Sequence, residues 1–286
     1  MFANDIFAMK GGTAINLFVR DMSRLSVDSD VVYLPWQTPR DEALRTINQE
    51  LAAVAKRVTP LKARPVRAKD LGDTKLIVEN NANQVKIEVN VVFRGSVLPV
   101  NQRPLNTKTS DLFAIEFELP VLAPDELYAS KLVAVLDRQH PRDLFDVWQL
   151  YEAGNISEGM VECFVIYLAG HNRPPHEVLF GNDKDIAGEY KRGFVGMTEV
   201  DCSPEILLDV RAELRCELPR RLSTAHRQFL GGLVRAEPDW SLVRCPHAAQ
   251  LPALRWKLSN LETFRKRRPD DFAAQAAALD TGLGQS

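Results

Sequence analysis

Cysteine is scarce in this chain. Its 286 residues include four, at positions 163, 202, 216 and 245. None forms a CxxC pair, so neither a zinc site nor a disulfide framework is expected; reduced thiols in a cytoplasmic protein are. Cys245-Pro246-His247 offers half of a metal site, and no second pair stands out to complete it. No apolar run approaches the roughly 18 residues of a membrane span. No basic segment followed by an apolar one opens the chain, so a secretory signal is not expected. Internal repeats and long low-complexity tracts are absent too. An excess of one charge is also missing, since 36 Lys and Arg face 38 Asp and Glu. With 45% hydrophobic and 26% charged residues, the chain is neither disordered, collagenous nor a coiled-coil rod. A chain of this length buries a large core without a covalent staple and reads as one large domain or two modest ones.

The near-zero total hides an uneven distribution. Residues 211–271 hold 13 Lys and Arg against 7 Asp and Glu, and the remainder is acidic. Texture changes along the chain as well. Before Pro120 it reads as mixed α/β. Thr13–Val19 has a helical pattern, and the β-branched run Ser26–Leu34 reads as a strand. Thr38 reads as a cap for a helix with Pro39 at its first position. Leu44, Ile47, Leu51, Val54 and Val58 then recur at the spacing of one buried helical face. Lys75–Glu79 and Gln84–Phe93 read as strands joined by a turn at Asn80–Asn83. After Pro120, Glu126–Arg138 and Asp143–Tyr151 read as helices, the second stopped by Gly154. Residues 156–260 read as largely helical, broken at prolines, and fraying is expected from Phe272 onward. The expected organisation is α+β, with a mixed-sheet core over 1–120 and a mostly helical domain over 121–286.

Four features could do chemistry. Gly11-Gly12-Thr13 after Lys10 places paired glycines at a turn entering a helix. Such a turn either brings backbone N–H groups to a phosphate or is simply tight. Asp28 and Asp30 sit two apart in a strand and so share a face. That spacing suits an oxygen-loving Mg²⁺, and it also suits a solvated face; Val27, Val31 and Val32 favour a central strand. Lys86, Glu88 and Asn90 share one face of the next apolar strand. If that strand lies beside the first, Glu88 adds a third carboxylate of the kind used in metal-assisted phosphoryl or nucleotidyl transfer. Lys131 and Arg138 lie seven apart on one helical face, and Asp143 and Asp146 three apart on another. They read either as a triphosphate site or as a cap (Asp143) and an ion pair (Arg138).

The order of these features is that of the nucleotidyltransferase superfamily. More narrowly, KGGTAINLFVRDMSRLSVDSDVVYL, VKIEVNVVFRG and ELYASKLVAVLDRQHPRDLFDVWQLYEAG resemble the AbiEii/AbiGii type of toxin nucleotidyltransferase. These are toxins of bacterial toxin–antitoxin and abortive-infection systems. The likeness is dense over about 10–155 and looser beyond, where LVRAEPDWSLV and LPALRWKLSNLETFRKRRPD also fit. It implies a nucleotidyltransferase-type mixed sheet and transfer of a nucleoside monophosphate from an NTP to a hydroxyl. It also implies Mg²⁺ (or Mn²⁺), a cognate antitoxin as partner, and an RNA acceptor such as the tRNA 3′ end.

Carried over by position, the resemblance implies that Gly11, Gly12 and Thr13 cradle phosphates. Arg24 and Ser26, in an R-x-S-x-D-x-D stretch, fix the loop or the phosphates. Asp28, Asp30 and Glu88 hold the metal, and Glu88 is also a candidate base. Lys131 pairs with the triphosphate, and Arg142, Asp143 and Asp146 match a terminal R-D-x-x-D motif. Two departures stand out. Ser29 replaces the usual apolar residue between the acids, and only nine residues precede Lys10, where a longer helical lead-in is common. The expectation is a shortened start or an unusually open site. Arg220, Arg221, Arg227, Arg235, Arg244, Arg255, Lys257 and the run Arg265, Lys266, Arg267 and Arg268 read either as a track for a phosphate backbone or as a solvated helical face. Two other readings remain: a nucleotidyltransferase acting on a protein or small molecule, and a non-catalytic nucleotide-binding protein. The full set of Asp28, Asp30, Glu88 and Lys131 argues against the last.

Overall fold

A computed structural model describes residues 1–26, 28–68 and 72–284 of the chain. Val27, read above as part of a strand, and Gln285 and Ser286 of the tail lie outside the described residues. The chain divides into two compact units, Met1–Leu127 and Tyr128–Ser286. The architecture is α+β.

In the first unit, among the described residues, seven strands form one sheet in the order β3-β4-β5-β2-β1-β7-β6. They are β1 Phe7–Lys10, β2 Asp28–Tyr33, β3 Lys62–Ala68, β4 Gly72–Glu79, β5 Gln84–Asn90, β6 Asn101–Pro104 and β7 Glu118–Val121. The sheet is mixed: β1 runs antiparallel to β2, and β2 runs parallel to β5. Phe7 and Ala8 of β1 and Val31, Val32 and Tyr33 of β2 are buried, as central strands require. Pro65 lies in edge strand β3, where a missing N–H is tolerated. The β4–β5 turn is built as its sequence suggests. Asn80 Oδ1 accepts from the N–H groups of Ala82 (2.9 Å) and Asn83 (2.7 Å). Strand β5 stops at Asn90, short of the expected Phe93. Asn90 Oδ1 takes the N–H groups of Val92 and Phe93 that would have continued the ladder.

Helix α1 (Gly11–Ala14) runs directly into a π turn over Ile15–Val19. Helix α2 (Arg40–Arg57) buries Ala43, Ile47, Leu51 and Val54 against the sheet. The apolar stripe thus begins at Ala43 rather than Leu44, and Val58 lies past the helix end. Pro39, not Thr38, holds the cap position and gives no side-chain bond; Asp41 and Glu42 in the first turn face the positive end instead. A short α3 (Thr107–Phe113) is capped by Asn106, whose Oδ1 accepts from Thr109 at 2.8 Å.

The division between units falls within α4 (Pro124–Arg138). The second unit continues with α5 Pro141–Glu152, α6 Glu158–Ala169, α7 Pro175–Phe180, α8 Ala187–Gly193, α9 Pro204–Arg221, α10 Thr224–Val234, α11 Pro252–Arg267 and α12 Pro269–Leu283. Several prolines that read as breaks are helix starts, because a first-turn residue has no intrahelical use for its N–H. Pro219 is an exception and sits inside the last turn of α9. Residues 160–169 of α6 are all buried, which makes it the axis of this unit. Its Glu162 accepts from the Arg244 N–H at 2.5 Å and pairs with His226 Nε2 at 3.0 Å. Burial pushes that carboxyl up, and His226 and the Arg244 N–H outweigh it and leave it below its ordinary value.

The tail does not fray. Helix α12 buries Phe272, Gln275, Ala276, Leu279 and Leu283, and the Leu283 carbonyl accepts from Arg227. Arg235 pairs with Asp280. Its Ala-rich composition is that of a good helix former with a tightly packed face. All four cysteines are free, as expected, and burial pushes the Cys202 thiol up to about 11, which leaves it inert.

Within the first unit, Glu126 is fully buried. It accepts from the N–H groups of Val97 at 2.8 Å and Leu98 at 3.0 Å. Truncation strands one buried and one part-buried donor, so Glu126→Ala is expected to cost about 2 kcal/mol, read as a lower midpoint in urea unfolding.

Candidate active site

The first unit gathers eight of the sequence-predicted residues. Parallel pairing sets Asp28 beside Lys86 and Asp30 beside Glu88. Strand alternation then turns Asp28, Asp30, Lys86 and Glu88 to one face. On the other side of β2, Lys10 pairs with Asp30, so the chain enters α1 right against that carboxylate. Gly11 has φ +73°, and a Cβ there would collide with an Asp30 carboxylate oxygen. Glycine is required here on both counts. A Cβ on Gly12 would stand 2.6 Å from Arg24 Nη2. The paired glycines therefore admit an acid on one side and a guanidinium on the other.

A hydrogen-bonded loop holds this arrangement. The Thr13 hydroxyl donates to the Asp28 carbonyl and lies 2.9 Å from Ser26 Oγ, which ties α1 to the start of β2. Arg24 is buried and donates to the Leu25 carbonyl at 2.8 Å. Its own N–H donates to Asn16 Oδ1, and Asn16 Nδ2 donates to the Gly12 carbonyl at 2.8 Å. Asn106 Nδ2 in turn donates to the carbonyls of Asn16 and Arg20. Neither asparagine stood out in the sequence, because a loop-closing amide leaves no periodic mark.

The carboxylate face also carries two lysines. Lys86 Nζ lies 3.3 Å from Asp28 Oδ2 and 3.4 Å from Glu88 Oε2, and Lys75 Nζ lies 3.1 Å from Glu88 Oε1. These side chains are about one-third exposed. Burial lowers the Lys86 ammonium, and Asp28 and Glu88 outweigh it and raise it above its ordinary value. Lys86 was legible as a neighbour of Glu88 on its strand, but its reach to Asp28 depends on pairing between strands. Among the described residues no group of three or more His, Cys, Asp or Glu converges on a metal position. The donor set nonetheless fits a hard divalent cation: it is all carboxylate, it lies on one face, and a cationic ammonium already bridges two of its members.

The second unit holds the other predicted residues. Lys131 of α4 is buried, and its Nζ lies 2.8 Å from Asp143 Oδ1 and 2.9 Å from Asp146 Oδ2 of α5. The helical spacing of the acids brings both to one ammonium. Arg138 adds a bond to Asp143 Oδ2 at 2.8 Å, so the ion-pair reading of Arg138 holds. Asp143 does not cap α5. His140 does, its Nδ1 accepting from the Arg142 N–H. Burial pushes the Asp143 carboxyl up, and Lys131 and Arg138 pull harder and hold it down at about 2.

Much of the basic surplus of 211–271 is engaged within the fold. Arg227 donates to the carbonyls of Pro219, Leu222 and Leu283. Lys257 is buried and donates to the carbonyls of His171, Asn172 and Arg173, and burial lowers its ammonium to about 8. Arg265 pairs with Glu237 and lies over the Phe272 ring, and Arg268 pairs with Asp271. Lys266 and Arg267 stand exposed in the last turn of α11. The sulfur of Cys245 lies 3.7 Å from the His247 ring, with no further metal-ligating group assembled around them among the described residues. No helix there is long and apolar enough to cross a membrane.

The family model described as nucleotidyl transferase AbiEii toxin, Type IV TA system, matches residues 2–260. No curated protein matches the chain. Among solved structures, it is similar to MenT4, a nucleotidyltransferase toxin from Mycobacterium tuberculosis H37Rv. The TM-score is 0.59 at 18% identity, over 91% of this chain and 86% of that one. At that identity the likeness speaks for the fold.

The lowered Asp143 carboxyl makes a signed prediction. A depressed acid contributes stability above its unfolded value, near pH 4, and loses it as pH falls toward about 2. Asp143→Asn is expected to cost about 2 kcal/mol at pH 7, and the gap to wild type should close below about pH 4. Urea unfolding midpoints collected across that range check both the size and the direction.

Proposed function

The chain belongs to the AbiEii nucleotidyltransferase toxin family of type IV toxin–antitoxin systems, and from that premise we propose that it transfers a nucleoside monophosphate from an NTP to a hydroxyl of RNA. The tRNA 3′ end is the favoured acceptor, the cytoplasm the place of action, and a cognate antitoxin the opposing partner. The observation that carries this reading is the carboxylate face of β2 and β5 set directly against Gly11.

In the proposed reaction the acceptor oxygen attacks the α-phosphorus. The bond from that phosphorus to the bridging oxygen of the β-phosphate breaks, and pyrophosphate leaves. Asp28, Asp30 and Glu88 would hold a divalent cation such as Mg²⁺ or Mn²⁺. When bound, that ion supplies charge neutralisation at the phosphates and a more acidic hydroxyl. Glu88 accepts the hydroxyl proton. Gly11, Gly12 and Thr13 offer backbone N–H groups at the entrance to α1, and Arg24 and Ser26 keep that entrance in shape. The first unit is thus assigned the catalytic core. In the second unit, Lys131 and Arg142 are the residues that the family resemblance assigns to nucleotide binding, and Asp143 and Asp146 hold the Lys131 ammonium. Such chemistry is mainly positioning and electrostatics, so a lost carboxylate should be severe.

Total RNA, Mg²⁺ and each labelled NTP in turn test the reading. Asp30→Ala should lower label transfer at least about a thousandfold. Near-normal activity in that variant would remove the assignment, and label on protein or a small metabolite would replace the RNA acceptor.

The α11 terminus contributes at most its outward charges to RNA. Charge reversal at Lys266 and Arg267 is expected to weaken RNA binding by about tenfold at low salt and to flatten the salt dependence. Unchanged binding isotherms at two salt concentrations would take this segment out of the interface.

A further inference from the structure

Three carboxylates on one face of the sheet repel one another when no external cation is present. Lys86 relieves that repulsion from within the sheet. Its ammonium reaches Asp28 and Glu88, the residues flanking it in space on β2 and along β5. Lys75 separately holds the other Glu88 oxygen at 3.1 Å, so Glu88 keeps a partner if Lys86 leaves. Both Lys86 contacts are longer than that one and about one-third exposed, and the side chain is a flexible four-carbon stem. Pairs of this kind add little to stability and are cheap to break.

We propose that Lys86 is a displaceable counter-cation that couples metal loading to nucleotide loading. This rests on the nucleotidyl-transfer reading above. In the empty protein its ammonium sits between Asp28 and Glu88 and opposes entry of a bare divalent ion. A cation arriving with a nucleotide brings phosphate oxygens, to which the ammonium transfers as the carboxylates take the metal. The exchange is ionic, with no bond made or broken covalently. Metal alone must evict the lysine into water, whereas metal with nucleotide gives it a new anion. By linkage, the factor by which nucleotide strengthens metal binding equals the factor by which metal strengthens nucleotide binding.

The test measures Mn²⁺ affinity by the resonance signal of the free ion. It is done with and without an NTP analogue whose α,β-bridge is carbon, allowing for the ion–analogue complex in solution. Lys86→Met should bind bare Mn²⁺ about tenfold more tightly than wild type, the effect of removing one neighbouring charge at a partly exposed site. The strengthening by the analogue should shrink by a similar factor. Lys86→Arg keeps the charge and should follow wild type, and Lys86→Gln should follow Lys86→Met, which separates charge from side-chain packing. Wild-type affinity and wild-type coupling in both neutral variants would overturn the proposal while leaving the carboxylates as metal ligands. If wild type binds Mn²⁺ neither alone nor with the analogue, the metal assignment falls and takes this proposal with it.

Discussion

The parallel pairing of β2 with β5 is the constraint on which the first unit's chemistry depends. It sets Asp30 beside Glu88 and Asp28 beside Lys86. A slip of one residue would turn one set of side chains to the opposite face and disperse the charges. Antiparallel β1 adds the second condition, since its pairing of Lys10 with Asp30 delivers Gly11 to the carboxylate. Site and sheet are therefore one construction. The hydrogen bonds of Thr13, Asn16 and Asn106 close the loop that the register has already positioned.

The two lysine–carboxylate clusters obey different physics. Lys131 is dry, with both aspartates at least as buried as itself, and breaking that cluster exposes uncompensated charge to a poor solvent. Lys86 is wet, and water replaces either partner at small cost. One holds its ammonium in a fixed place between two helices. The other is suited to exchange. Residue types and ligand count are similar in both, so depth alone separates their roles.

Local patterns were legible where a single periodicity decided the outcome. Strand alternation put Asp28 and Asp30 on one face, and helical spacing brought Asp143 and Asp146 to one ammonium. The resemblance gave the family. What stayed hidden was set by contacts across the chain. Strand β1 is four residues long, too short for a periodic signal, and β3 carries a proline and five basic or small residues that read as loop. Thr38 looked like a cap by composition, but Pro39 occupies the position. The alanine-rich tail looked prone to fray because its buried stripe is small and intermittent in sequence. The basic surplus looked like surface charge, and only the fold reveals that Arg227 and Lys257 serve backbone carbonyls.

The docking of α12 has a consequence for how the chain is made. Its buried face fills part of the core that α7 and α10 help to build, and Arg227 fastens it at Leu283. Those partners leave the ribosome well before α12 does. Until residue 283 has been synthesised, the second unit carries an unfilled apolar surface, Arg227 lacks one of its three carbonyls and Arg235 lacks Asp280. The seven strands of the sheet, by contrast, have all been synthesised by Val121. The helical unit thus completes its packed core only at the close of translation of α12.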